Sequence, residues 1–415
     1  MREPQSRGVR RARLIRVIVV VAATTTALLA TLAVDRLAGF VVTNPTSTEG
    51  LIFHPRSTAT YHTTEFNFTA TTNSLGFRDH EFAEVRSSAC RVVAIGDSFT
   101  FGWGVSLDES WPKALETSLR HTGLGVEVAN LGFPGGSPID YANIAARAVP
   151  TLKPDLVVVG VLQGDDLSQM RAAAAATATA GWRHHVREVL HQARATLYPH
   201  LTLLAGLAEE SLGHGPSALS VNTTWKEQAK AILGKFNPVE RARYERMDPV
   251  IRRAFEAGDL NPALVASAAR RPEYFMETFD LGRPETRALV KEMSRQLARI
   301  RAVAASAGAE VLVVSIPFGH YVSQTMYDTR RNRYGFELDP RMLTSEGADD
   351  AIRMAAEGAR LSTRVVTAAF RERDSAPLYL ELDGHLNADG HRFYAEQLTP
   401  AIGATLRARP RRCGV

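Results

Sequence analysis

A chain of 415 residues, 45% hydrophobic and 22% charged, has the make-up of a folded protein, which excludes wholesale disorder. Its length suits one α/β domain with a large insertion and appendages. The net charge of +5 sits wholly in the first sixteen residues, where Arg2, Arg7, Arg10, Arg11, Arg13 and Arg16 stand against Glu3. The remaining body is neutral, which excludes a groove that tracks phosphates and so a nucleic-acid partner. The short run Arg407, Arg409, Arg411 and Arg412 reads as a solvated terminus.

Behind the basic segment 1–16 comes a candidate transmembrane anchor at 17–34. Val17 to Val34 carries no charge, and as a helix it reaches roughly 27 Å, close to the hydrocarbon thickness of about 30 Å. The arginines before it predict a cytoplasmic N-terminus, hence a single-pass protein of the cell membrane with its body outside the cytoplasm. The alternative is a signal peptide cleaved after Thr31-Leu32-Ala33, although the apolar run is longer than a usual signal core. Cys90 and Cys413 form neither a disulfide framework nor a metal motif, and both are expected to be structurally neutral.

Residues 43–89, rich in Thr, Ser and Asn, predict an extended leader with short strands such as Glu65 to Ala70. A βα alternation then opens at 90–168, with strands at Arg91 to Ile95, Val126 to Leu131 and Leu156 to Leu162. Helices are predicted over Trp111 to Thr122 and from near Ile139. The third strand is nearly all Val and Leu, as a strand covered on both faces should be. Residues 169–283 read as a mostly helical insertion. Its apolar run Leu201 to Leu207 is too short to cross a bilayer and predicts helix packing, with a substrate lid or a membrane-facing patch as the alternative. The alternation resumes over 284–405 with a helix from Pro284 to Ser306, a strand from Glu310 to Ile316 and helices around Ala348 to Leu361. A fifth strand is expected at Leu378 to Leu382, before a last helix from Ala388 to Leu398. Such a pattern predicts a three-layer α/β/α fold around a parallel sheet, with ligands at the carboxyl ends of the strands.

Those ends carry Gly96-Asp97-Ser98, the Gly135 loop, Asp165, and Asp383 with His385. A serine hydroxyl becomes a nucleophile when an imidazole takes its proton and a carboxylate fixes that imidazole. Ser98, His385 and Asp383 fit these roles, provided the sheet brings both chain segments together. A serine following a strand is alternatively a helix cap. A second Asp-Gly-His, Asp389 to His391, lies where the last helix begins, so Asp389 reads as a capping residue and His391 as a first-turn side chain. His184, His185 and His191 lack paired cysteines or a metalloprotease frame and read as surface residues. The glycines at 132, 135 and 136 precede no phosphate-binding fingerprint, so neither cofactor nor metal is expected.

At these motifs the chain resembles the SGNH, or GDSL, hydrolase superfamily. The first block is matched by Gly96-Asp97-Ser98-Phe99-Thr100-Phe101-Gly102, the second by Asn130-Leu131-Gly132-Phe133-Pro134-Gly135, the third by Gly164-Asp165-Asp166-Leu167 and the last by Asp383-Gly384-His385. Asn73-Ser74-Leu75-Gly76-Phe77-Arg78-Asp79 also resembles a leader element of membrane-tethered bacterial members. The resemblance implies a flavodoxin-like fold and an esterase with Ser98, Asp383 and His385 as its catalytic residues. It also implies an oxyanion hole from Ser98, Gly135 and the third-block residue, and an acylated small molecule or glycan of the cell envelope as substrate.

The last block is one residue shorter than the family's usual Asp-x-x-His, and Asp165 stands where the family has asparagine. A carboxylate there would repel the developing oxyanion. Three readings stay open: Asp165 protonated by burial beside Asp166, two backbone amides sufficing alone, or hydrolysis lost and only glycan binding kept. An O-acyltransferase that passes the acyl group to a sugar hydroxyl would use the same residues.

Overall fold

The computed structural model describes residues 5–41, 51–82, 90–171, 223–276 and 278–408. The chain divides into two compact units, Met1–Thr48 with Ala176–Pro216, and Glu49–Ala175 with Ser217–Val415. In the first, α1 spans Gln5–Val41. Its stretch Ile18–Arg36, 19 residues of mean hydropathy 2.0, is long and apolar enough to cross a membrane. Two threonines inside it satisfy their own donors, since the Thr24 and Thr31 hydroxyls each donate to a carbonyl one turn back, at 2.8 Å to Val20 and to Ala27.

The second unit is built on a five-stranded parallel sheet. Its strands are β3 (Cys90–Gly96), β4 (Val126–Gly132), β5 (Leu156–Leu162), β6 (Glu310–Ile316) and β7 (Ser362–Arg364), in the spatial order β4-β3-β5-β6-β7. Counted within the sheet this is 2-1-3-4-5, the flavodoxin-like order, whose switch point lies between β3 and β5. β3 and β5 are buried at every position, so neither alternates in polarity. Their residues still divide by side. Val92, Ala94 and Val158 join a cluster with Trp111, Leu115 and Leu119 of helix α3 (Trp111–His121). Val93, Ile95 and Val159 join another with Tyr141, Ala145 and Val149 of helix α4 (Pro138–Leu152). Helices on both faces of one sheet make three layers.

The leader forms an antiparallel hairpin, β1 (Thr58–His62) with β2 (Asn67–Thr71). It alternates as a half-covered sheet should. Ala59, Tyr61, Phe68 and Ala70 face a cluster with Phe101, Trp103 and Trp225, while threonines pair across the exposed side. The described part of the 169–283 stretch is helical and starts three of its helices on Asx-Pro pairs. Asn237, Asp248 and Asn261 each accept a backbone N–H with proline just behind, a capping arrangement that also stops the preceding helix. The alanine tract, Leu201 to Leu207 and His184, His185 and His191 lie outside the described residues.

Two expectations are corrected here. Leu378–Leu382 is not a strand; it makes a single bridge, Tyr379 to Leu386, and the fifth strand is β7. Alternating leucines there mimic a strand because loop side chains are buried too, whereas β7 is three polar residues with no apolar signal. Cys90 is also not neutral, because it is disulfide-bonded; Cys413, the other cysteine of the chain, lies outside the described residues.

Candidate active site

The turn after β3 is possible only because of glycine. A Cβ on Gly96 would sit 2.1 Å from Thr100 Oγ1 and 2.9 Å from the Gly160 carbonyl, so the chain can turn sharply into the short helix α2 (Ser98–Phe101). Asp97 caps that helix, its carboxylate accepting the Phe99 N–H at 3.0 Å. The cap is therefore Asp97 and not Ser98, which leaves the serine hydroxyl available. Arg78 of the leader fixes the far end, donating to the carbonyls of Phe101, Gly102 and Val105 at 2.7–2.8 Å. Asp79, next to it, bridges Lys113 at 2.9 Å and accepts the Asn130 N–H at 2.8 Å, which ties the leader motif to the first two blocks.

Ser98 Oγ lies 2.7 Å from His385 Nε2. On the other side of the ring Nδ1 is bonded to Asp383 Oδ1. The His385 ring also packs on Phe99 and Trp103, with centroids 4.7 and 6.0 Å away. Burial alone would raise the Asp383 carboxyl, but the charges of His385 and Arg330 and the imidazole hydrogen bond outweigh it and hold it below the ordinary value. Asp383 thus stays anionic beside the ring. His391 of the second Asp-Gly-His is elsewhere: it is fully buried, accepts the Trp111 N–H at 3.2 Å, and burial lowers it to about 3, so it is neutral. The cap of helix α13 (Ala388–Arg407) is Asn387, while Asp389 pairs with Arg392.

Gly135 has φ +75°, and a Cβ there would meet no atom within 4 Å, so its glycine serves backbone conformation rather than packing. The amides of Ser98 and Gly135 donate to no backbone carbonyl among the described residues. Both residues line one cavity with Asp165 and His385. Asp165 is half-buried and already occupied: Tyr274 donates to Oδ1 at 2.8 Å and Gln169 to Oδ2 at 2.6 Å. Burial raises its carboxyl, and the Tyr274 hydroxyl and the charge of His385 oppose the rise.

Two further carboxylates share this region. Burial first and Asp165 second push Asp97 up to about 7. Asp166, bonded to the Tyr141 hydroxyl at 2.9 Å and the Leu162 N–H at 3.0 Å, is raised well above the carboxylate range by burial and then by Asp97 and Asp165. Among the described residues no Lys or Arg makes an ion pair with any of the three. Like charges in a buried space disfavour one another; burial raises all three carboxyls, while both Asp165 oxygens accept hydrogen bonds, from Tyr274 and Gln169.

The cavity, about 230 Å³, is walled on its apolar side by Phe99, Leu162, Leu264, Phe275, Phe318 and Phe336. Among the described residues no group of three His, Cys, Asp or Glu is placed to hold a metal. Reasoning from sequence missed Glu65, Tyr274 and Arg330, all at or beside the site. Glu65 looks like one polar residue of a leader strand. Arg330 belongs to Arg330-Arg331-Asn332-Arg333, which reads as a solvated charge run, yet it is 1% exposed.

Residues 94–278 match the GDSL-like Lipase/Acylhydrolase family. No curated protein matches the chain. Similar solved structures include TesA, at 13% identity over 76% of this chain and 99% of that one with a TM-score of 0.35. A lipase/acylhydrolase from Enterococcus faecalis is 13% identical over 76% and 96% of the two chains, TM-score 0.35. An acetyl xylan esterase, AlAXEase, is 12% identical over 75% and 99%, TM-score 0.35.

Proposed function

Since this chain belongs to the SGNH/GDSL hydrolase superfamily and so to a family of ester-acting acylhydrolases, we propose that it is a membrane-anchored serine esterase that forms an acyl-enzyme on Ser98. The carrying observation is the 2.7 Å contact between Ser98 Oγ and His385 Nε2, with Asp383 on the opposite ring nitrogen. In this reading His385 takes the serine proton as Oγ attacks the acyl carbonyl, then gives it to the leaving alcohol. Water, deprotonated by the same imidazole, releases the acid. Asp383 fixes the tautomer in which Nε2 is free to accept. The Ser98 and Gly135 amides receive the oxyanion.

Asp165 takes no part as a donor. Replacing it with asparagine adds one: Oδ1 still accepts from Tyr274, and Gln169 Oε1, buried without a partner, can accept one of the two new N–H groups while the other faces the cavity. Asp165→Asn is expected to raise kcat on a small aryl ester by about tenfold or more, as a single oxyanion donor is worth about 10² to 10³. Unchanged or lower turnover in steady-state kinetics would show that the position carries no oxyanion role.

For topology, 1–16 lies in the cytoplasm, 17–34 spans the membrane, and the leader 43–89 and the two core parts 90–168 and 284–405, with the insertion 169–283, lie outside. The arginines before the span support this, as does the disulfide at Cys90, a bond of oxidising compartments. Labelling of Ser98 in intact cells by a membrane-impermeant probe checks the side; labelling only after lysis rejects it.

Outside the cytoplasm the esters at hand are O-acyl groups on envelope glycans and polymers, which are the proposed substrates. The cavity of about 230 Å³ exceeds the roughly 150 Å³ that holds a benzene ring, so it has room for an acyl group larger than acetyl. Along a series of p-nitrophenyl esters, kcat/KM is expected to rise from acetyl to about hexanoyl by up to about fourfold per methylene, the equivalent of about 0.8 kcal/mol. A flat series, or a maximum at acetyl, refutes the acyl assignment of the cavity.

A further inference from the structure

Strands usually fix the loops that follow them, but the loop bearing Asp383 and His385 leaves no strand. Its backbone polar groups must still find partners, and those of Leu382 and Asp383 find side chains. Both carboxylate oxygens of Glu65 are taken by this loop, Oε1 accepting the Leu382 N–H at 2.9 Å and Oε2 the Asp383 N–H at 2.7 Å. On the opposite edge Arg330 donates from Nη1 to the Leu382 carbonyl at 2.9 Å and from Nη2 to the Asp383 carbonyl at 2.6 Å. Tyr334 adds its hydroxyl to the Leu382 carbonyl at 2.8 Å. An acid and a base thus hold the same two residues from both sides, doing with side chains what two neighbouring strands would do with backbone.

The surroundings are shaped to this grip. Glu65 sits at the tip of the leader hairpin, where Thr63 Oγ1 accepts the N–H groups of Glu65 and Phe66 at 3.1 Å and sets the turn. Arg330 is buried on a π-helical turn, Thr329–Arg333, a local widening found often at functional sites. Gly384 has φ +95°, and a Cβ there would lie 1.7 Å from Arg330 Nη2. The residue between Asp383 and His385 is therefore glycine because the guanidinium occupies the space of a side chain.

We propose that Glu65 and Arg330 are positioning residues that hold Asp383 and His385 in register with Ser98, so that turnover requires the leader hairpin, which lies outside residues 94–278 of the family match. The proposal rests on the esterase reading above. Neither residue hydrogen-bonds Ser98 or the His385 ring; Glu65 acts through the backbone of the loop, and so does Arg330, which also lines the cavity and lends its charge to Asp383. Loss of either lets the imidazole drift from the serine, and a misplacement of about 1 Å costs about 10²-fold in rate.

The test uses the full chain and a p-nitrophenyl ester. Glu65→Ala is expected to lower kcat by about 30- to 100-fold with KM within about twofold, because the cavity walls are untouched. Glu65→Gln keeps the shape and one acceptor oxygen, so it is expected to recover part of that loss at the same Tm as Glu65→Ala. Arg330→Lys keeps the charge but not the planar fork that reaches two carbonyls, and is expected to behave like the alanine variant of Glu65. A Glu65→Ala protein within twofold of wild-type kcat overturns the proposal. So does a kcat loss that follows the folded fraction while Glu65→Gln gains nothing. A wild-type chain that hydrolyses no ester ends the esterase reading and this proposal with it, whereas an active wild type with an indifferent Glu65 ends this proposal alone.

Discussion

Ser98→Ala is expected to lower kcat on an aryl ester by about 10⁴- to 10⁶-fold, with KM nearly unchanged. The size of the effect follows from what the hydroxyl does and does not touch. It caps no helix, because Asp97 does, and its hydrogen-bond partner is the His385 ring. Its removal therefore costs little stability, about 0.5 kcal/mol or less for a side chain outside any core or cap. The cavity and the Ser98 and Gly135 amides remain, so substrate binding is expected to persist while the covalent route is gone. A thermal melt at the wild-type Tm together with the loss of turnover separates this outcome from unfolding. Retention of more than about a tenth of the wild-type rate would mean that the reaction does not pass through this serine.

Asp383→Asn is expected to cost about 10⁴-fold in kcat while leaving the fold intact. The side chain is nearly isosteric and 4% exposed. Its backbone remains gripped by Glu65 and Arg330, so the loop has no reason to move. What changes is the acceptor opposite Nδ1. An amide can turn its NH₂ toward the ring and favour the tautomer with the proton on Nε2, where it points at Ser98 and blocks acceptance. The imidazolium also loses the anion that stabilises it. A loss below about tenfold in the same assay would reduce Asp383 to a loop residue.

The sheet and its flanking helices were legible because their signals are local. Glu310–Ile316 and Pro284–Ser306 begin and end where apolar runs, proline and the turn to Gly308 mark them. The meeting of Ser98 with His385, 287 residues apart, was legible through the motif blocks of the family resemblance, whereas the strand expected to deliver His385 does not form and side chains anchor its loop instead. What was not legible is everything carried by side chains acting on distant backbone. Glu65 and Arg330 take the place of a strand beside Leu382, and no periodicity announces that substitution. Leu378–Leu382 misled for the complementary reason, since its leucines, buried or half-buried, alternate without a partner strand. Asp165 was legible as a departure from asparagine, but its state depended on Tyr274 and Gln169, which come from the insertion and from the next helical turn. Arg78 and Asp79 show the leader in a similar light, since they reach the end of α2 and the start of α3 and so bind residues 51–82 to the hydrolase core.

The central claim, that the Ser98 hydroxyl is an activated nucleophile, is tested most directly by reacting the full chain with a fluorophosphonate and locating the adduct by peptide mass spectrometry. One adduct on the peptide containing Ser98, absent from Ser98→Ala and slowed in Asp383→Asn, is the predicted result. No adduct on the folded wild-type protein, or an adduct that persists in Ser98→Ala, would contradict it.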